Sequence, residues 1–274
     1  MSGFSPEWLA LREPADRAAR NPRVMAACAA RFAAQDHLSI SDLGAGTGSS
    51  LRAFADALPL RQTWTLFDHD RDNLKAARTA LTAWADTATG DGEALNLQRG
   101  ARRIEVWFRA QDLAADPACW KGAADLVTAS ALLDLTSAAW IETLVTALAS
   151  AGTPLLATLS FDGRIHHDPA HRHDAAVARD FCRHQRRDKG FGVATGPDAH
   201  GICVTAATAH GYTVVEDTSD WILDAASPMA SAVADGISAA VQEIGVLSQA
   251  DIADWRASPN RLIVGHRDLF ALRG

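Results

Sequence analysis

Paired cysteines are missing from this sequence. Its four cysteines, Cys28, Cys119, Cys182 and Cys203, stand far apart without a C-x-x-C spacing, so neither a zinc site nor a disulfide framework is indicated and reduced, buried thiols are expected. Long apolar runs are missing too. Nothing approaches the roughly 18 uninterrupted apolar residues of a membrane span, and the N-terminal stretch carries Glu7, Arg12, Glu13, Asp16 and Arg17 in place of the apolar core of a leader peptide. A cytoplasmic protein with no membrane contact is expected. Excess positive charge is also absent: 26 Lys and Arg against 33 Asp and Glu leave a formal charge of −7, without the basic footprint of a phosphate-backbone binder, so nucleic acid is not an expected partner. Neither internal repeats nor linkers are visible, and no metal site is indicated.

What is present is an alternation of two periodicities. Residues 6–34 are rich in Ala and Arg, with Trp8, Leu9, Val24, Met25 and Phe32 spaced as one helical face; Pro14 and Pro22 are expected to break this stretch into two or three short helices. Short apolar runs at 38–43, 63–67, 103–108, 125–129 and 154–159 read as strands. Segments 51–58, 73–85 and 138–149 read as helices between them, and 90–100 as a glycine-containing loop. A helix around 199–210 precedes a sixth strand at 212–215, and a seventh follows at 261–265. Such alternation requires parallel strands, right-handed crossovers and helices on both faces. An α/β fold is therefore expected: a single domain over 1–274 built on a doubly wound, mostly parallel seven-stranded sheet, with a helical extension at 1–36.

The first strand ends in Asp42-Leu43-Gly44-Ala45-Gly46-Thr47-Gly48. Glycines there let the backbone turn sharply and approach a ligand without a Cβ in the way, while the next helix offers free N–H groups. The spacing is G-x-G-x-G; the dinucleotide fingerprint needs a glycine where Ser49 stands, which sets a nicotinamide cofactor back.

With an acid, a hydrophobic residue and three spaced glycines after its first strand, the chain resembles the class I, Rossmann-like S-adenosylmethionine-dependent methyltransferases across roughly residues 38–159. The resemblance implies S-adenosylmethionine as cofactor and an antiparallel seventh strand, here 261–265, inserted between the fifth and sixth. It implies that Asp68, in Leu66-Phe67-Asp68-His69-Asp70, holds the ribose hydroxyls with His69 beside it, and that Asp112, in Gln111-Asp112-Leu113, faces the adenine amino group. Ser130 and Ala131 stand where that family lines the methyl-donor site. Asp42, Gly44, Ala45, Gly46, Gly48 and Leu113 complete the implied cofactor-binding set. Asp70 reads as the cap of the following helix. Residues 11–20 look like a lid over the methionine end, with Arg20 suited to pairing a carboxylate.

Methyl transfer from a sulfonium is an in-line displacement in which the cofactor brings the reactive carbon, so the protein positions the nucleophile and excludes water. A base helps a hydroxyl or amine acceptor, and the candidates are His184, His166, His167 and Asp134. The three histidines lie in 162–197, read as an insertion after the fifth strand that serves as a substrate lid. Between 164 and 189 this segment holds six Arg, one Lys and five His against four Asp, a local formal charge of +3 on an acidic chain. Residues 181–192 read as a helix closed by a glycine cap, its cations holding an anionic or polar small molecule while Phe191 covers a ring. Ala129-Ser130-Ala131-Leu132 stands where nucleic-acid amino-methylating enzymes carry an Asn-Pro-Pro-Tyr-type sequence. The leading expectation is transfer of a methyl group to oxygen or nitrogen of a small molecule. The alternatives are a methyltransferase that docks RNA or protein on the basic insertion, and a non-catalytic cofactor-binding subunit.

Overall fold

The computed structural model describes residues 4–92, 94–122 and 124–273. Two helices come first, α1 (Pro6–Ala19) and α2 (Pro22–Phe32). Each starts on a side chain that accepts free N–H groups of its first turn: Ser5 Oγ from Trp8, and Asn21 Oδ1 from Arg23 and Val24. Pro22 occupies the first helical position, where its missing N–H costs nothing. Pro14 does not interrupt α1, contrary to expectation. The ion pairs Arg12–Asp16, Arg17–Glu13 and Arg52–Glu13 flank it.

The remaining elements are β1 (His37–Leu43), α3 (Ser49–Phe54), β2 (Arg61–Asp68), α4 (Arg71–Trp84), β3 (Thr87–Thr89), β4 (Ala94–Arg99), β5 (Arg102–Ala110), β6 (Leu126–Ser130), α5 (Ala138–Ala151), β7 (Leu155–Asp168), α6 (Asp174–Gln185), α7 (Ala199–Ala209), β8 (Tyr212–Thr218), β9 (Trp221–Leu223), α8 (Pro228–Ile244), α9 (Gln249–Arg256) and β10 (Arg261–Arg273). The strand order is β3-β4-β5-β2-β1-β6-β7-β10-β8, with β9 also on β10. Strands β5, β2, β1, β6 and β7 pair in parallel, and β10 runs antiparallel between β7 and β8, where the inserted strand was expected.

The sheet has ten strands, not seven. The stretch expected as a loop at 90–100 contains β4, whose Leu95 and Leu97 alternate into the core. Gly100, at φ 55°, turns β4 into β5 and so adds a hairpin at the sheet edge. Period-two alternation divides the core between two faces. Leu43, Val127, Ala129 and Ala157 pack with α5 and α7, whereas Leu38, Ile40, Leu66 and Leu156 pack with α2, α3 and α4.

Strands β7 and β10, 14 and 13 residues long, run on past their neighbours. On this extension Phe161, Ile165, Leu262 and Val264 form a third cluster with α6, α8 and α9. Residues 162–168 are thus strand, and the segment expected as an insertion at 162–197 begins inside β7. Helix α6 ends at Gln185, short of the expected glycine cap. Gly190 (φ 99°) and Gly192 (φ 81°) instead turn a tight loop closed by a bridge between Asp188 and Val193. Among the described residues no helix is long and apolar enough to cross a membrane. All four cysteines are unpaired, and burial pushes the Cys28 and Cys203 thiols up to about 12.

Candidate active site

A cavity of about 750 Å³ lies at the carboxyl ends of β1, β2, β5 and β6, the crevice that a doubly wound sheet opens where its crossovers leave for opposite faces. Helix α1 and the loop after α6 wall it from above. Gly44, Gly46 and Gly48 have φ of 68°, 53° and 76°, a backbone that L side chains rarely adopt. Crowding reinforces this: a Cβ on Gly44 would stand 3.2 Å from Leu132, and one on Gly46 3.0 Å from Leu9. Gly44, Ala45 and Gly46 line the cavity. Gly48 lies off the wall, at the start of α3 and against Leu66, Ala77 and Leu81.

Asp68 ends β2 on the cavity wall, 6% exposed. Its Oδ2 accepts from Gly46 N at 2.8 Å and its Oδ1 from Asp70 N at 2.9 Å, which pins the glycine loop to the next strand. Burial raises its pKa, against the pull of those N–H groups. His69 lines the cavity from a mostly exposed position, with Nδ1 3.5 Å from Asp68. Asp112 and Leu113 line the far end. Asp112 Oδ1 also takes Ala114 N at 2.9 Å, capping a turn, and Leu113 O takes the Trp140 indole at 2.6 Å. Asp70 caps α4 as expected, accepting from Asp72 and Asn73. Asn73, buried on that first turn, is a wall residue the sequence reading passed over; the Asp70 cap was the signal that placed it. Leu9, Thr47 and Leu135 were passed over likewise.

Ser130 lines the cavity, accepting from Thr158 Oγ1 at 3.0 Å and from Arg20 Nη2 at 3.4 Å. Two non-glycine residues beside it have positive φ, Ala131 at 50° and Leu159 at 57°, a strain that persists only where the surroundings fix it. Here Ala131 N donates to Thr158 O at 2.9 Å, and Leu159 N donates to the fully buried Asp268 at 2.7 Å. Arg20 and Asp42 lie behind the wall. Arg20, 9% exposed, has no partner for Nε or Nη1 among the described residues, and burial lowers its pKa, opposed by Asp16 and Asp268. Asp42, 1% exposed, accepts from Thr128 Oγ1 at 2.7 Å, and burial pushes it up to about 7. Arg12 and Asp16 of α1, both buried, stand on the wall instead, joined at 2.9 Å.

Of the base candidates, only His184 reaches the cavity. Its Nε2 stands 3.3 Å from Glu243 on α8, and its buried Nδ1 has no partner among the described residues. His166 sits opposite Ile263 on the β7 extension, about 20 Å along the strand from Ser160 at the usual rise per residue. His167 is spent on structure: Nδ1 bonds Asp174 at 2.8 Å beneath Trp255. Asp134, 7% exposed, lies just behind the wall; burial pushes it up to about 6, with Arg12 and Lys189 pulling the other way.

The expected positive patch is largely neutralised by acids within and outside the segment. Arg164 pairs Asp162 and Asp220, Arg172 pairs Asp254, Arg179 and Arg183 pair Asp180, Arg186 pairs Asp198, and Arg187 pairs Glu243. His171 and His173 face Asp254 and Asp251. A docking surface for RNA finds little unpaired charge there.

No family model matches the sequence, and no curated protein matches it. Solved structures do match in fold. One is an S-adenosylmethionine-dependent methyltransferase from Geobacter sulfurreducens in complex with S-adenosyl-L-homocysteine, 16% identical, with all of both chains covered and a TM-score of 0.51. Another is the cyclopropane synthase MmaA2 from Mycobacterium tuberculosis, 10% identical, covering 98% of this chain and 94% of that one at a TM-score of 0.51. Beside these likenesses stand the strand order with its antiparallel insertion and the glycine loop that follows β1. The chain has the class I, Rossmann-like fold of the S-adenosylmethionine-dependent methyltransferases.

Proposed function

We propose that the protein transfers a methyl group from S-adenosylmethionine to an oxygen or nitrogen atom of a small molecule. The observation that carries this reading is the convergence, on one walled cavity, of the left-handed glycine loop and the buried Asp68 carboxylate that pins it. The residues fit the cofactor. Asp68 is a buried acceptor suited to vicinal hydroxyls, Asp112 and Leu113 offer an acid and an apolar surface to an amino-bearing ring, and Gly44 to Gly46 leave the close approach that a Cβ would fill.

When bound, S-adenosylmethionine supplies an electrophilic methyl group on a sulfonium. The protein's part is position and environment. Ser130, held by Arg20 and Thr158, and the fixed turn at Ala131 shape the wall at the end of β6. Helix α1, anchored by the Arg52–Glu13 ion pair and by Arg52 Nη1 on Thr47 O at 2.7 Å, excludes water from above. His184 is the base. Its imidazole stands on the cavity wall with Nε2 3.3 Å from the Glu243 carboxylate, which orients the ring.

Calorimetric titration with S-adenosylmethionine, S-adenosylhomocysteine and NAD(H) tests the reading, with Asp68→Ala as the control and its melting curve as the check on folding. Micromolar binding of the sulfur cofactors, lost in a folded Asp68→Ala, is expected. Silence with those and heat with NAD(H) would overturn it.

A further inference from the structure

The cavity wall carries three cations from the loop after α6 and from α1, and two of them are already satisfied. Arg12 pairs Asp16 through Nε and Nη2 at 2.9 and 3.2 Å. Arg187 pairs Glu243 at 2.6 Å. Lys189 is different: among the described residues no carboxylate lies within ion-pair distance of its ammonium. It is half-buried; burial and the nearby Arg187 lower its pKa, and Glu243 and Asp134 oppose them without an ion pair to it. An ammonium drawn partly out of water without a paired carboxylate is a cost that the fold does not fully recover by itself. The same wall carries Leu132, Leu135 and Phe191, the Phe191 ring fixed edge-on against Trp140 with centroids 5.7 Å apart, and also Asp188, whose Oδ1 is taken by Gly190 N at 2.7 Å.

We propose that Lys189 is the anchor of the acceptor site and that the acceptor is a small acid, a carboxylate or phosphate ester on a ring-sized apolar body, whose anion seats on Lys189 while its body lies against Phe191, Leu132 and Leu135. This rests on the cofactor reading above, because it assigns to the acceptor the part of the wall that the glycine loop and Asp68 do not occupy. Of the Arg and Lys residues in 164–189, it selects the one without an ion-paired carboxylate among the described residues.

The cofactor's own carboxylate is the other source of an anion, and the experiment separates the two. Benzoate, phenyl phosphate and the neutral benzyl alcohol are titrated calorimetrically onto the protein, free and saturated with S-adenosylhomocysteine, for the wild type, Lys189→Met, Lys189→Arg and the remote surface control Lys75→Met. The two acids are expected to bind the wild type about tenfold or more tightly than benzyl alcohol, the size of one charge-assisted hydrogen bond. Lys189→Met should abolish that preference, Lys189→Arg should keep most of it, Lys75→Met should keep all of it, and affinity for S-adenosylhomocysteine should stay unchanged in all four proteins. Acids that bind no better than benzyl alcohol would overturn the proposal. So would a Lys189→Met that weakens S-adenosylhomocysteine as strongly as it weakens the acids, since Lys189 would then serve the cofactor. A wild type that fails to bind S-adenosylhomocysteine would count against the cofactor reading alone, and the titrations on free protein would still decide for or against Lys189.

Discussion

Asp268→Ala is the substitution whose cost can be worked out most fully. Asp268 is fully buried on β10 and serves two backbone donors from separate parts of the chain: Oδ1 takes Leu159 N at 2.7 Å and Oδ2 takes Asn21 N at 2.8 Å. One bond holds a residue at φ 57° where β7 passes the cavity; the other holds the joint between α1 and α2. Truncation leaves both N–H groups buried without partners and removes an acid that compensates Arg20. Hydrogen bonds to a charged group contribute about 1.5–3 kcal/mol each, so the expected loss is about 3–6 kcal/mol. For a chain of this size, about 2–4 °C of melting temperature accompanies each kcal/mol, so the midpoint should fall by roughly 6–24 °C in a thermal denaturation monitored by circular dichroism. Asp268→Asn retains one acceptor and should lose about half as much. A melting point for Asp268→Ala within about 2 °C of wild type would refute the view that this side chain ties the α1–α2 joint to β7.

Two further outcomes are expected. Burial holds the Asp42 carboxyl at about 7 against an ordinary 3.8, so the folded state binds a proton that the unfolded chain gives up earlier. The sign follows: Asp42 favours the fold most at acid pH, and that contribution is lost as pH rises from about 4 to about 7. Urea titrations across this window should show wild type losing stability relative to Asp42→Asn as pH rises, and a constant difference would contradict the burial argument. His266, which burial pushes down to about 3, slopes the other way in both proteins and cancels in the comparison. Gly46→Ala should weaken S-adenosylhomocysteine far more than it lowers the melting point: the left-handed backbone costs about 1–2 kcal/mol for a residue with a Cβ, and that Cβ would displace Leu9 from the cavity wall. Unchanged affinity would show that the loop does not meet the ligand.

The parts of the molecule legible in the sequence are those whose signals are local. The glycine loop, the acid ending β2 and the strand–helix alternation are each contained in a few consecutive residues, and all three placed the cavity. Several acid partners of the basic segment are not local. Arg164 meets Asp220 across 56 positions, and Arg187 meets Glu243 across another 56, so a run neutralised in space reads as a positive patch along the chain. The β7 extension was hidden for a related reason: His166 and His167 look like catalytic histidines until Ile165 and His167 are seen alternating into a satellite core with Trp255. Helix α8 was readable and was passed over. Ser227 caps it, Pro228 takes its first position, Gly245 stops it, and Met229, Val233, Ile237 and Val241 recur on one face. Asp42 and Arg20 show the limit of motif reasoning, because the acid and the cation that mark the site in sequence both lie behind the wall rather than on it.

A crystal structure of the protein grown with S-adenosylhomocysteine bears most directly on the assignment of this cavity. The ribose hydroxyls should lie on Asp68, the adenine beside Asp112 and Leu113, and the amino-acid end against Gly44 to Gly46, with α1 closed above. Ligand bound away from the glycine loop, or a ribose that makes no contact with Asp68, would contradict it.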